Sequence, residues 1–182
     1  MAKLVSKTYG DALFELAVEG NRVEKLFEEA KGILSILESN EDFVKLMNHP
    51  QIVKEEKAEM LEKIFLNQVS KETVGFMRMM VEKGHFKELK KTLIYFIDRV
   101  KDYKKIGVVF VTLAMKLTDQ QKESIEKRLL ETTKYVELEM HYTEDKALIG
   151  GMIIRIKDRV VDSSIRTKLQ RLSRDLSKIQ LK

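Results

Sequence analysis

Along the first hundred residues, apolar side chains recur at steps of three and four, the spacing that places them on one face of a helix. Val5, Tyr9, Ala12, Leu13 and Leu16 make a first stripe, which Gly20 and Asn21 close because they tolerate a left-handed backbone best. Val23, Leu26, Phe27, Ala30, Ile33, Leu34 and Leu37 make a stronger second one. Asn40 is placed to cap a short third helix carrying Phe43, Leu46 and Met47, and Asn48, His49 and Pro50 stop it, since a proline pushes the residue before it out of the helical region. Ala58, Leu61, Ile64 and Phe65 mark a fourth helix. Ser70 is placed to cap a fifth, with Val74, Met77, Met80 and Val81 on one face and Gly84 at its end. Phe86, Leu89, Leu93, Phe96, Ile97 and Val100 mark the sixth. Short connections between these segments predict a six-helix N-terminal bundle over residues 1–104.

At Lys104 and Lys105 the period changes from 3.6 to 2. The run IGVVFVTLAM, from Ile106, is apolar at both parities and rich in β-branched residues, so it reads as a central strand covered on both faces. Thr118, with Gln121 three residues on, has the form of a capping box for a helix bearing Ile125 and Leu129. Val136, Leu138, Met140 and Tyr142 then alternate with Glu137, Glu139 and His141, a strand with one wet face. Gly150 and Gly151 precede Met152, Ile154 and Ile156, which alternate with Ile153, Arg155 and Lys157 as a further strand. Asp158 and Arg159 read as a turn, Val160 and Val161 as a short strand, and Asp162 as the N-cap of a last helix. There Ile165, Leu169, Leu172, Leu176 and Ile179 recur at steps of four and three, and this stripe is expected to pack on the helix's own sheet. The pattern predicts an α+β chain: the helical bundle, then a small mixed α/β domain (β-α-β-β-α) over residues 105–182 with two helices over its sheet.

Charge sharpens this division. Residues 1–104 hold 18 Lys and Arg against 18 Asp and Glu, whereas from Lys146 onward there are 10 against 3. The last helix, with Arg166, Lys168, Arg171, Arg174 and Lys178, therefore admits a nucleic-acid-binding adaptor as an alternative function. Residues 147–182 contain no Phe, Tyr or Trp to stack on bases, which favours an acidic protein partner instead.

Catalytic chemistry is hard to find. Cysteine is absent, which removes disulfides and thiolate ligation. His49, His85 and His141 lie far apart with no metal-ligand spacing around them, and Gly150-Gly151 precedes a strand, whereas phosphate-cradling glycines follow one. Carboxylates such as Glu55 and Glu59 lie among lysines at helical spacing, the pattern of solvated helix faces. No metal, cofactor or catalytic residue is expected, and no apolar run is long enough to span a membrane. Phe76, Met77, Met79 and Met80 crowd the fifth helix more than one buried face requires, so they fit either gap-filling core or an adaptable groove for a partner helix.

The stretch LIGGMIIRIKDRVVDSSIRTKLQRL resembles the C-terminal signature of the delta subunit of F-type ATP synthases, the family of the mitochondrial oligomycin-sensitivity-conferring protein. YGDALFELAVE, HPQIVKEEKAEMLEKIF, FMRMMVEKGHFKEL and VTLAMKLTDQQKESIEKRL resemble the same family in order, so the similarity spans essentially the whole chain. It implies a non-catalytic stator subunit without cofactors, held at the cytoplasmic side of a bacterial inner membrane only through its complex. Its partners would be the N-terminal helix of an alpha subunit and the C-termini of the b subunits. Transferred to this chain, the alpha-binding groove comprises Tyr9, Ala12, Leu13, Phe76, Met77 and Met80, and the b-facing region Arg155, Asp162, Arg166 and Arg171. The family often carries Gly-Arg at Gly84-His85 and Gly-Asp at Lys157-Asp158. The second departure suggests a turn that needs no left-handed residue at position 157, or one that has shifted by one.

Overall fold

The computed structural model describes residues 2–66 and 68–179. The chain divides into two compact units, one ending at Lys101 and one beginning at Asp102. In the first unit α1 (Ala2–Glu19), α2 (Val23–Ser39), α3 (Glu41–Met47), α4 (Lys54–Phe65), α5 (Lys71–Glu82) and most of α6 (Leu89–Lys104) share one apolar core. Leu26, Phe65, Met77, Met80, Leu93 and Phe96 are among its fully buried members.

The first helix is rotated from the stripe its sequence suggests. Ser6, Gly10, Leu13 and Ala17 are buried, while Ala12 and Leu16 face solvent. Gly10 explains the rotation, because a Cβ there would stand 2.4 Å from the Tyr95 ring of α6. Tyr95 in turn donates its hydroxyl to Asp11 Oδ1 at 2.9 Å.

Two expected caps are also used differently. Asn40 donates its side-chain amide back to Ile36 O, serving the end of α2 rather than the start of α3. Ser70 does stand before α5, but its hydroxyl donates to Glu29 of α2 instead of capping its own helix. Glu29 also accepts from the Ser70 amide at 2.9 Å and the Thr73 hydroxyl at 2.6 Å. One carboxylate from α2 thus ties down the residue that precedes α5 and stands at the start of that helix, a favourable place for negative charge. Ser70 and Thr73 are buried and their hydroxyls lie 3.0 Å apart, so without Glu29 one hydroxyl can donate to the other while the second hydroxyl and the Ser70 amide lose their acceptor. Glu29→Ala should cost the helical unit about 2 kcal/mol in urea unfolding, and Glu29→Gln less, because the amide oxygen still accepts.

The second unit is a four-stranded mixed sheet of order β2-β1-β3-β4. Its strands are β1 (Ile106–Leu113), β2 (Glu137–Glu144), β3 (Met152–Ile156) and β4 (Arg159–Asp162). β1 pairs parallel to β2 through the crossover helix α7 (Asp119–Thr132) and antiparallel to β3, which pairs antiparallel to β4. Thr118 and Gln121 form the expected capping box at the start of α7. Val136 lies just outside β2 and is exposed.

Val109, Val111 and Leu113 of β1 are buried with Leu138, and Leu129 and Leu130 of α7 pack against them. The opposite face of the central strand is not covered as expected: Phe110 on that face is exposed. The reason is that the last helix, α8 (Ile165–Ile179), does not pack its apolar stripe on the sheet. The turn between β3 and β4 centres on Lys157 and Asp158, and Lys157 is left-handed at φ 50° after all. A lysine there costs about 1 kcal/mol relative to glycine. Its ammonium, paired with Asp102, offsets part of that cost.

Candidate functional site

Each unit presents a distinct surface. In the helical unit, four of the six residues transferred from the family, Leu13, Phe76, Met77 and Met80, lie in the core, and Tyr9 is packed partly against it. The Tyr9 ring lies 5.8 Å from that of His85, beyond the left-handed Gly84 that ends α5. Ala12 is exposed. The methionine cluster is therefore mostly gap-filling, with Met79 at its partly exposed margin. Exposed apolar surface on α1 comes instead from Leu4 and Leu16, and Gly75 on α5 opens onto free space.

In the second unit the loop after β2 is built to hold one end of α8. Asp145 accepts from the Ala147 amide and starts a 3-10 turn at Lys146–Leu148, with Leu148 buried. Gly150 passes so close to Ile165 that a Cβ would sit 2.6 Å from its Cδ1. Gly151, left-handed at φ 77°, lies where a Cβ would be 2.5 Å from Ser163 O. The carbonyl of Gly150 accepts from the Ile165 amide at 2.9 Å, and that of Met152 from the Ser163 amide at 3.0 Å. The glycine pair is thus a close backbone approach that clamps the β4–α8 junction.

The residue before α8 is Ser164, not Asp162: its hydroxyl accepts from the Thr167 amide at 3.2 Å. Asp162 supports the same turn from two residues earlier, accepting from the Ser164 amide at 2.8 Å and the Thr167 hydroxyl at 2.7 Å. The Ser164 amide, then the hydroxyls of Thr167 and Ser164, hold the Asp162 carboxyl below the usual carboxylate range, with Arg171 adding a smaller pull. A carboxylate whose pKa falls on folding adds stability above its unfolded value, about 3.9, and loses it as pH falls towards the folded value. Helical signal from the start of α8 should therefore begin to drop just below about pH 4, and Asp162→Asn should remove that step from a circular-dichroism titration.

Beyond its first turn α8 stands clear. Leu169, Leu172 and Leu176 are 52, 57 and 56% exposed, and Ile165 is 43% exposed. The stripe assigned from sequence to the unit's own core is an open apolar seam, and the side chain of Ile179, like Gln180, lies outside the described residues. Arg166 and Arg171 are exposed on α8, with Arg171 near Asp162. Arg155 lies on the open sheet face, its guanidinium 4.7 Å from the Phe110 ring. Phe110 stacks at 5.0 Å on His141, whose Nε2 is 3.0 Å from Glu139 Oε1. The leucine seam escaped the sequence reading because it looked like an ordinary core stripe. Its strict four-three spacing, narrower than most globular helix faces, was the available signal.

Among the described residues no three His, Asp or Glu side chains gather to hold a metal. Two open pockets of about 490 and 470 Å³ carry carboxylates already tied to lysines, Glu38 to Lys90 at 2.9 Å and Glu144 to Lys116 at 3.9 Å. No helix among the described residues is long and apolar enough to cross a membrane. What these units offer is helix faces for other chains: the chain is a docking scaffold.

The comparisons with known proteins specify which one. The ATP synthase delta (OSCP) subunit family matches residues 5–176, and the chain belongs to it. It is 48% identical to the ATP synthase subunit delta of Lachnoclostridium phytofermentans over the full length of both chains. It is 32% identical to that of Alkaliphilus oremlandii, covering 98% of this chain and 99% of that one. A chain of the Toxoplasma gondii mitochondrial ATP synthase hexamer has the same fold, with a TM-score of 0.70 at 18% identity, covering 94% of this chain and 96% of that one. Membership makes this a non-catalytic stator subunit of the F-type ATP synthase, in its peripheral stalk. The nucleic-acid adaptor reading finds no support among these relatives.

Proposed function

We propose that this chain clamps the catalytic head to the elastic stalk. The helical unit, a six-helix bundle, receives the N-terminal helix of an alpha subunit along α1 and α5. The C-terminal unit receives the C-terminal end of the b subunits. Torque from the rotor, driven by protons or sodium ions, tends to carry the head round, and the clamp holds the head still so that rotation is coupled to ATP synthesis. The protein then lies at the cytoplasmic side of the inner membrane, bound to it only through the complex.

The observation that carries this reading is the exposed leucine seam of α8, held at one end and open along the rest. An apolar helix face left uncovered in a folded unit marks a protein contact. On the head side, Ala12 and Leu16 are accessible and Tyr9 is half-buried, while Leu13, Phe76, Met77 and Met80 lie in the core. Holding against torque calls for affinity near nanomolar, about −12 kcal/mol. Calorimetric titration of the full chain with a peptide copying the alpha subunit's N-terminus should show saturable binding, weakened about tenfold or more by Leu16→Arg. Absence of binding overturns the head-side assignment.

A further inference from the structure

Every described residue of α8 from Lys168 to Ser177 is exposed, while its first turn is fixed by Ser164, Asp162 and the glycine pair. Ile165, Leu169, Leu172, Leu176 and Ile179 follow the strict alternation of four and three that defines the a and d positions of a heptad. With Ile165 at d, Arg166 and Ser173 fall at e, Lys168 and Asp175 at g, and Arg171 and Arg174 on the outer side. The first heptad of the seam is therefore flanked by cations on both sides.

We infer that α8 is one strand of a short intermolecular coiled coil, whose other strand is a helix of a second protein carrying a leucine seam flanked by acidic residues opposite Arg166 and Lys168. This rests on the reading that the C-terminal unit meets the stalk, and adds the chemistry and register of the contact. A membrane surface suits the helix less well. Interfacial helices bury a broad apolar face, with aromatic residues at the headgroup level, whereas this stripe has two aliphatic positions per heptad and no aromatic residue. A second copy of α8 suits it less well too, because each strand carries five cations and one carboxylate and two copies would repel, while acidic flanks neutralise the seam.

The probe is a pair of fluorescein-labelled helical peptides of about three heptads with the same leucine seam, one flanked by glutamates and one by lysines, titrated into the full chain by anisotropy. The acid-flanked peptide should bind at least about tenfold more tightly. Arg166→Glu with Lys168→Glu should invert the preference, Arg174→Glu on the outer side should leave it, and Leu172→Glu should abolish binding of both peptides while the circular-dichroism spectrum is retained. Equal affinity for the two peptides, or binding that survives Leu172→Glu, overturns the inference. So does binding of neither peptide, whether the seam then sediments with phosphatidylglycerol vesicles or pairs two copies of the chain. If the chain still co-purifies with b subunits but shows no charge preference, the inference fails and the clamp stands; if it also fails to co-purify, the clamp reading fails with it.

Discussion

Gly151→Val is expected to destabilise the C-terminal unit by about 3 kcal/mol, with unfolding of the helical unit unchanged. Two independent costs combine at this position. A β-branched residue resists the left-handed backbone, φ 77°, that only glycine adopts freely. Its Cβ would also stand 2.5 Å from the carbonyl oxygen of Ser163, a backbone atom that cannot step aside without moving the start of α8. The Ser163 amide bond to Met152 O and the Ile165 amide bond to Gly150 O are the contacts at risk. Differential urea unfolding, following hydrogen exchange in each unit separately, should show the loss confined to residues after Asp102. A valine variant with unchanged protection in β3, β4 and α8 would show that the glycine pair is incidental.

The second large effect concerns binding rather than stability. Leu169→Glu combined with Leu172→Glu should weaken capture of the b subunits more than about 100-fold, since buried hot-spot side chains each contribute on the order of 2 kcal/mol or more. Folding should be nearly indifferent, because both leucines are more than half exposed in the free chain. That separation of effects distinguishes a docking seam from a core stripe. The same pair of changes in a buried position, such as Val109 and Val111, would unfold the sheet.

These two sites also show what the amino-acid sequence could and could not convey. Thr118 and Gln121 were legible because a capping box is local, its partners three residues apart. Gly150 and Gly151 were legible as something other than a phosphate loop because they lead into a strand. The last helix was legible as amphipathic, but amphipathicity says only that a face will be covered and not by which chain; Leu169, Leu172 and Leu176 were therefore assigned to the wrong neighbour. Long-range polar partners were equally hidden. Nothing near Ser70 announces that Glu29, 41 residues away, takes its hydroxyl. Lys157 looked unsuited to a left-handed turn because its partner, Asp102, lies 55 residues back in the sequence. On the head side, the methionines of α5 marked the right helix for crowding, yet Met77 and Met80 lie buried in the core of the unit while Ala12 and Leu16 lie outside it.

The clamp itself is tested most directly by coupling. ATP-driven ion pumping is measured in membranes whose ATP synthase has been assembled with the Leu169→Glu, Leu172→Glu chain, beside ATP hydrolysis by the same preparation. A clamp predicts that hydrolysis persists while pumping falls close to the background of membranes lacking the subunit; pumping equal to that of the unsubstituted chain would contradict it.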